Sequence, residues 1–340
     1  MRSLKTYVYG VASALIVTLL LFGWAASPSR GAAHLRSGES GKTGEVFFYS
    51  AEGAARRKAT GRSAELPSPV RLRESGGRGL LVKTWVNGVG DFTFAVDTGA
   101  GATILSPRVA SAARVEVEDG GRGIEIGGLS GASVGGGRKA FVRSLALGFR
   151  ENILPARGLI VVSQGLPPDV DGILDPTEAF WPLGFVIDML GGELSAFDPH
   201  VRPLRSDDAP RDGAVVPWLT DGQSRRPFVM LAEGRRALLD TGSGFGLAVD
   251  EGAARSLGIL TVEGGRHGRS RDLAGGEISS SRVRAATVSI GPLVLRGVPT
   301  DFLLQAHKGA PVILGRDALR PFQLTFDPFS RLVMLKPVEN

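Results

Sequence analysis

From Leu80 onward the hydrophobic residues fall in short runs, separated by single polar residues and by glycine-containing turns. That pattern predicts short strands joined by tight turns, not long amphipathic helices. It also occurs twice. The segment LLVKTWVNGVGDFTFAVDTGAGATILS, from Leu80, has an apolar run, an Asn87-Gly88 turn, a second run and then Asp97-Thr98-Gly99-Ala100. The segment RPFVMLAEGRRALLDTGSGFGLAVD, from Arg226, has a run, a Glu233-Gly234 turn, a second run and then Asp240-Thr241-Gly242-Ser243. SLALG ends at Gly148 and TVSIG at Gly291, each 51 residues after its aspartate. Asp175 in DGILDP lies 78 residues after Asp97, and Gly315 in PVILGRD lies 75 after Asp240. Two similar pairs of runs follow, FVIDMLGGELSAFDP from Phe185 and FQLTFDPFSRLVMLKP from Phe322. A repeat of this length predicts two equivalent structural halves. Ser106-Pro107 and Asp250 read as N-caps of short helices after each Asp-Thr-Gly loop.

The first 75 residues differ. Arg2 and Lys5 precede a 20-residue apolar run, Tyr7 to Ala26, which reads either as a signal peptide or as a membrane anchor. Both readings carry the body out of the cytoplasm, to a periplasmic or membrane-anchored location, with 7–26 as the tether if it is retained. Residues 27–75 are rich in Gly, Ser, Ala and Arg and read as a flexible linker or a pro-segment. In the pro-segment version, VFFYS would add a strand and Arg56-Arg57-Lys58 would lie near an acidic site.

Composition narrows the chemistry. The chain has no cysteine and four scattered histidines, which excludes disulfides and thiolate metal sites and leaves little for a His-based one. No metal or cofactor is expected. The net charge of +6 lies upstream of the repeat: residues 1–26 carry +2, residues 27–75 carry nine basic against five acidic groups, and residues 76–340 carry 29 of each. A neutral body argues against nucleic acid as a partner.

With FAVDTGA, LLDTGS and VILGRDAL, the region 76–340 resembles the aspartic proteases, and more closely their retropepsin-like branch. The resemblance implies an all-β, bilobal acid-protease fold: two pseudo-symmetric β-barrel lobes with short helices, 76–205 and 206–340, each lending one catalytic aspartate to a cleft. A monomer acting on an extended peptide or unfolded protein is expected. Asp97 and Asp240 would be the catalytic pair, Thr98 and Thr241 would bond across the lobes, and Gly99 and Gly242 would make the tight turns. Two carboxylates about 3 Å apart cannot both ionise cheaply, so the pair shares a proton and can activate water against an amide. Ser243 can donate to Asp240 where Ala100 cannot serve Asp97, which favours Asp97 as the proton holder.

Residues 120–137 hold nine glycines in eighteen positions and suit a flap over substrate, with Gly135 and Gly136 toward its end. The counterpart from Arg266 has Gly275 and Gly276 at its tip. These four glycines, with Ala100 and Ser243, are the expected substrate-binding positions. Asp175 stands where the family has a small residue and could bring a third carboxylate near the pair. A non-catalytic periplasmic peptide-binding module on the same fold is the alternative.

Overall fold

Alternating burial along the apolar runs turns them into strands, as at Gly79–Val86, where buried residues dominate and Lys83 points to solvent. The computed structural model describes residues 66–119, 124–127, 129–130, 133–167, 169–259, 266–272, 276–304, 306 and 310–338. The run 7–26 and residues 27–65 lie outside the described residues. Among the described residues, no helix is long and apolar enough to cross a membrane.

The strands form three sheets. In the first half, the order is Arg73–Ser75, Gly79–Val86, Val89–Val96, Gly172–Leu174, Thr103–Leu105, Ile160–Val162, Ser133–Phe141 and Glu116–Val117, with Ile124–Gly127 and Leu145–Leu147 as side branches. In the second half it is Phe228–Met230, Arg236–Asp240, Val312–Gly315, Leu247–Val249, Leu293–Leu303, Glu277–Ile290 and Arg266–Arg271. The two orders correspond strand for strand around the Asp-Thr-Gly loops. In each, the strand leading to the aspartate runs parallel to the later strand that flanks it, and that strand runs antiparallel to the next. The 51-residue landmarks also match: Gly148 and Gly291 have φ of +74° and +56°, a left-handed turn that glycine makes without a Cβ penalty.

Neither half closes into a barrel, contrary to the barrel lobes expected from sequence. The strands that could continue each half are diverted into a third, six-stranded sheet with the order Val70–Arg71, Glu193–Phe197, Gly184–Asp188, Phe322–Asp327, Leu332–Pro337 and Ala214–Pro217. Its central antiparallel pair joins the halves, with Phe185 opposite Phe326 and Ile187 opposite Leu324. A second correction concerns residues 70–75, placed in the linker by composition. They form two strands, held by buried Val70 and Leu72 and by pairing with residues 193–194 and 79–81. The alternation Val-Arg-Leu-Arg is too short to stand out from a basic tail.

The expected short helices are present. Ser106 Oγ accepts the Val109 N–H at the start of Pro107–Ala112, and Asp250 Oδ1 accepts the Ala253 N–H at the start of Glu251–Ser256. One apolar core runs from Phe94 and Leu105 through Phe185 and Phe326 to Leu239 and Leu314. Phe326 is fully buried, stacks on Phe185 at 4.7 Å and meets the edge of Trp218 at 5.8 Å. Phe326→Ala should therefore cost about 3–5 kcal/mol in urea unfolding, seen as a lower midpoint at unchanged slope. A loss below about 1 kcal/mol would mean that this central pair does not hold the halves together.

Candidate active site

The strands Val89–Val96 and Arg236–Asp240 become wholly buried toward their C-terminal ends, and each delivers an aspartate there. Asp97 and Asp240 have no exposed surface, and neither do Thr98 and Thr241. Thr98 Oγ1 donates to the Leu239 carbonyl at 2.6 Å and accepts the Thr241 N–H at 3.1 Å. Thr241 Oγ1 donates to the Val96 carbonyl at 3.1 Å and accepts the Thr98 N–H at 3.2 Å. Each hydroxyl thus donates once and accepts once across the two halves, so neither is left unsatisfied in the interior.

The two glycines act through space, not through a left-handed backbone. A Cβ on Gly99 would lie 2.7 Å from Asp240 Cγ, and one on Gly242 would lie 2.3 Å from Asp97 Cγ. Both glycines sit in tight turns, closed by Ala100 N–H to the Asp97 carbonyl and Ser243 N–H to the Asp240 carbonyl, and each opposite carboxyl occupies the volume a side chain there would need.

Asp97 Oδ1 accepts the Gly99 N–H at 2.7 Å, and Asp240 Oδ1 accepts the Ser243 N–H at 2.9 Å. Asp97 Oδ2 meets no N–H or hydroxyl donor among the described residues. Each carboxyl packs against the loop that carries the other, and two buried carboxyls held that close cannot both ionise cheaply, so one keeps its proton. Burial pushes the Asp97 carboxyl well above the ordinary carboxylate range; the charge of Asp240 and the bond to it add to this, the Gly99 N–H opposes it, and the charge of Asp175 adds again.

Ala100 and Ser243 are fully buried, so they support the loops and present no surface to a peptide. The Ser243 contact to Asp240 runs through its main-chain N–H, while its Oγ accepts the Phe245 amide at 3.3 Å. Around these loops lie charged residues beyond the catalytic pair. Arg316 is buried, and its Nη1 donates to the carbonyls of Thr241 and Gly242 at 2.7 and 2.8 Å. Burial lowers the basicity of its guanidinium, and the charges of Asp240, Glu74 and Asp97 oppose that. Glu74 of the first half binds Arg320 through two hydrogen bonds, one of them 2.6 Å, and lies 3.9 Å from Arg316. On the other side the polarity is exchanged: Arg225 of the second half holds Glu178 of the first at 2.5 Å and lies over the Trp181 ring at 4.2 Å.

The glycine-rich stretch contains a hairpin, Ile124–Gly127 paired with Ser133–Phe141. Gly135 and Gly136 lie on its second strand, and Gly136 is exposed. Leu129, between the two strands, is fully buried against Phe245, Ile278, Leu303 and Ile313 of the second half. Beside it, the Ser130 N–H and Oγ donate to Asp272 Oδ2 at 3.0 and 2.5 Å. Gly276 donates its N–H to Asp272 Oδ1 at 2.9 Å, and Gly275 lies outside the described residues. The glycine-rich hairpin thus meets the second half through Leu129, Ser130 and Asp272, none of which the sequence singled out.

The family model described as aspartyl protease matches the chain twice, over residues 82–174 and 233–318, and each match contains one Asp-Thr-Gly loop with its flanking strand. The chain belongs to the aspartyl protease family. Among curated proteins, none matches the sequence. The two matched segments meet at the reciprocal threonine bonds. Thr98→Val would strip one hydroxyl, leaving the Thr241 N–H and the Leu239 carbonyl buried and unpaired, whereas Thr98→Ser keeps both bonds. The valine variant should lose about 2–5 kcal/mol of unfolding free energy and the serine variant much less. Equal losses in the two would show that the bonds do not carry the junction.

Proposed function

We propose that the protein is an aspartic endopeptidase that hydrolyses peptide bonds in an extended or unfolded chain, with Asp97 and Asp240 as its acid and base. The observation that carries this reading is the fully buried carboxyl pair, brought close together by loops that each exclude a Cβ to make room. Two acids packed together cost stability unless one stays protonated, and a binding surface has no use for that cost.

In the working form the pair holds one proton and one negative charge. The ionised member takes a proton from water as that water attacks the amide carbon, and the protonated member donates to the carbonyl oxygen. The resulting tetrahedral centre collapses with protonation of the leaving nitrogen, and the pair returns to its single proton. Burial strengthens each of these electrostatic steps, because little water remains to screen them. Burial and the charge of Asp240 hold the Asp97 carboxyl above the ordinary carboxylate range, which keeps one proton on the pair.

The test uses the full chain against an unfolded protein and a diverse peptide pool between pH 3 and 8. Wild type should cleave, and Asp97→Asn and Asp240→Asn should each lose activity by several orders of magnitude, since they remove a member of one proton-sharing unit. A folded wild type that cleaves nothing across this range would instead favour the peptide-binding reading.

A second test concerns the asymmetry at position 100. Ala100→Ser places a hydroxyl near Asp97, where a donor would stabilise the ionised carboxyl and lower its titration. The basic limb of kcat/KM should then move toward acid. A pH profile superimposable on that of wild type would sink the idea.

A further inference from the structure

The strand Gly172–Leu174 runs parallel to Val89–Val96, with Leu174 opposite Val96, so residue 175 emerges beside Asp97. In the second half the same register sets Gly315 opposite Asp240. A Cβ on Gly315 would lie 2.4 Å from the Phe245 carbonyl oxygen, 2.8 Å from that of Ser243 and 3.1 Å from Ser243 Oγ, so no side chain fits there. The first half differs at the same contact. Ala100 replaces Ser243, and the backbone leaves Asp175 at ψ 104° where Gly315 has ψ −171°. The polar side chain has moved from the Asp-Thr-Gly loop to the strand beside it.

Asp175 is fully buried and caps the short helix Pro176–Ala179. Its Oδ1 accepts the Thr177 N–H at 2.9 Å and the Thr177 hydroxyl at 2.7 Å, while its own N–H donates to Thr103 Oγ1 at 3.2 Å. Its Oδ2 has no partner among the described residues. A cap needs only one oxygen, and burying the second without a donor is costly for an ionised carboxylate. The charged groups around it are Glu178 on its own helix, with Arg225 of the other half upon it, and Asp97 on the neighbouring loop, backed by Asp240 and Arg316.

Burial, and then the charge of Glu178, push Asp175 up to about 7, against the two Thr177 donors. Asp97 lies well above its ordinary range, and the charge of Asp175 is one of the causes. An ionised Asp175 therefore sets its charge beside a pair that already resists losing its proton.

We propose that Asp175 is a third carboxylate of the acid centre and a positioning residue, whose negative charge pins the shared proton on the Asp97–Asp240 pair and carries the working form of the pair into the neutral range. The inference rests on the protease reading of the dyad. Below the ionisation of Asp175 the dyad behaves as it would beside a neutral side chain; above it, loss of the shared proton would set a second negative charge close to the first.

Two substitutions separate charge from capping. Asp175→Asn keeps an Oδ1 for Thr177 and removes the charge; Asp175→Gly installs the residue of the second half and removes both. The full chain, labelled with carbonyl-side 13C at aspartate, is titrated from pH 3 to 9 by NMR, and kcat/KM is measured over the same range on an unfolded protein. In both variants the Asp97 titration should fall by about one pH unit, and the basic limb of kcat/KM should follow it. An Asp97 titration in the Asn variant that superimposes on wild type would overturn the proposal and leave Asp175 as a cap alone. If the wild type cleaves nothing but the Asp97 titration still shifts, the electrostatic inference stands and the protease reading falls.

Discussion

Four hydrogen bonds between Thr98 and Thr241 and the main chains opposite them hold the two Asp-Thr-Gly loops together. The rest of the centre depends on that distance. With the loops so close, each carboxyl fills the space beside the other loop's glycine, and neither residue 99 nor residue 242 can carry a side chain. The same closeness forces the carboxyls into one proton-sharing unit. The six-stranded sheet makes this geometry affordable, because its central strands Gly184–Asp188 and Phe322–Asp327 bring the halves together over an apolar area, where burial is worth far more than four exchangeable hydrogen bonds. The sheet supplies the adhesion and the threonines supply the alignment.

Around the junction the two halves have drifted apart in charge while keeping the same strand order. On the Asp240 side, Gly315 is followed by Arg316, whose guanidinium reaches behind the loop to the carbonyls of Thr241 and Gly242. On the Asp97 side the corresponding residues are Asp175 and Pro176, so the position that carries an arginine in the second half follows a buried acid in the first. The charge of Asp175 thus adds to the burial that already resists ionisation of Asp97. The serine–alanine difference at 243 and 100 points in the same direction but is not the main cause, since burial and the facing carboxyl come first. The outer ties add less. Glu74 with Arg320 is partly exposed and screened by solvent, so its contribution lies in direction more than in energy.

The duplication was legible because its landmarks are local requirements: a left-handed glycine at 148 and 291, helix caps at Ser106 and Asp250, and an aspartate at the end of a buried strand. The shared sheet was not, because the runs from Phe185 and Phe322 carry the same alternation whether they pair within their own half or with each other. Strand partners at such separation leave no local trace. Glu74, Glu178 and Arg225 read as ordinary surface charges, and only the fold shows that they bridge the halves. Arg316 was different, since it belongs to the VILGRDAL segment that carries the family resemblance, though nothing there shows which carbonyls it meets. Leu129 was hidden by its surroundings, since one leucine among glycines suggests a slack loop, yet it is buried in the other half's apolar cluster.

The acid centre also ties function to stability. Asp97 and Asp175 titrate higher in the folded protein than carboxyls do in an unfolded chain. For such groups the folded state binds more protons than the unfolded one between the two values, so stability falls as pH rises through that interval. The contribution is fully present below the ordinary carboxylate range and is lost as pH climbs through the folded-state values, about 7 in the case of Asp175. The proton that the mechanism requires on the dyad is therefore a proton that the fold also requires. Moving the working range upward by adding buried negative charge beside Asp97 draws on the same interior that holds the halves together, and the charge of Arg316 behind the opposite loop offsets part of that strain. A duplicated fold can divide these demands between its copies, one half carrying the extra acid and the other the buried base, where two identical halves would have to place the same group on both sides of the axis.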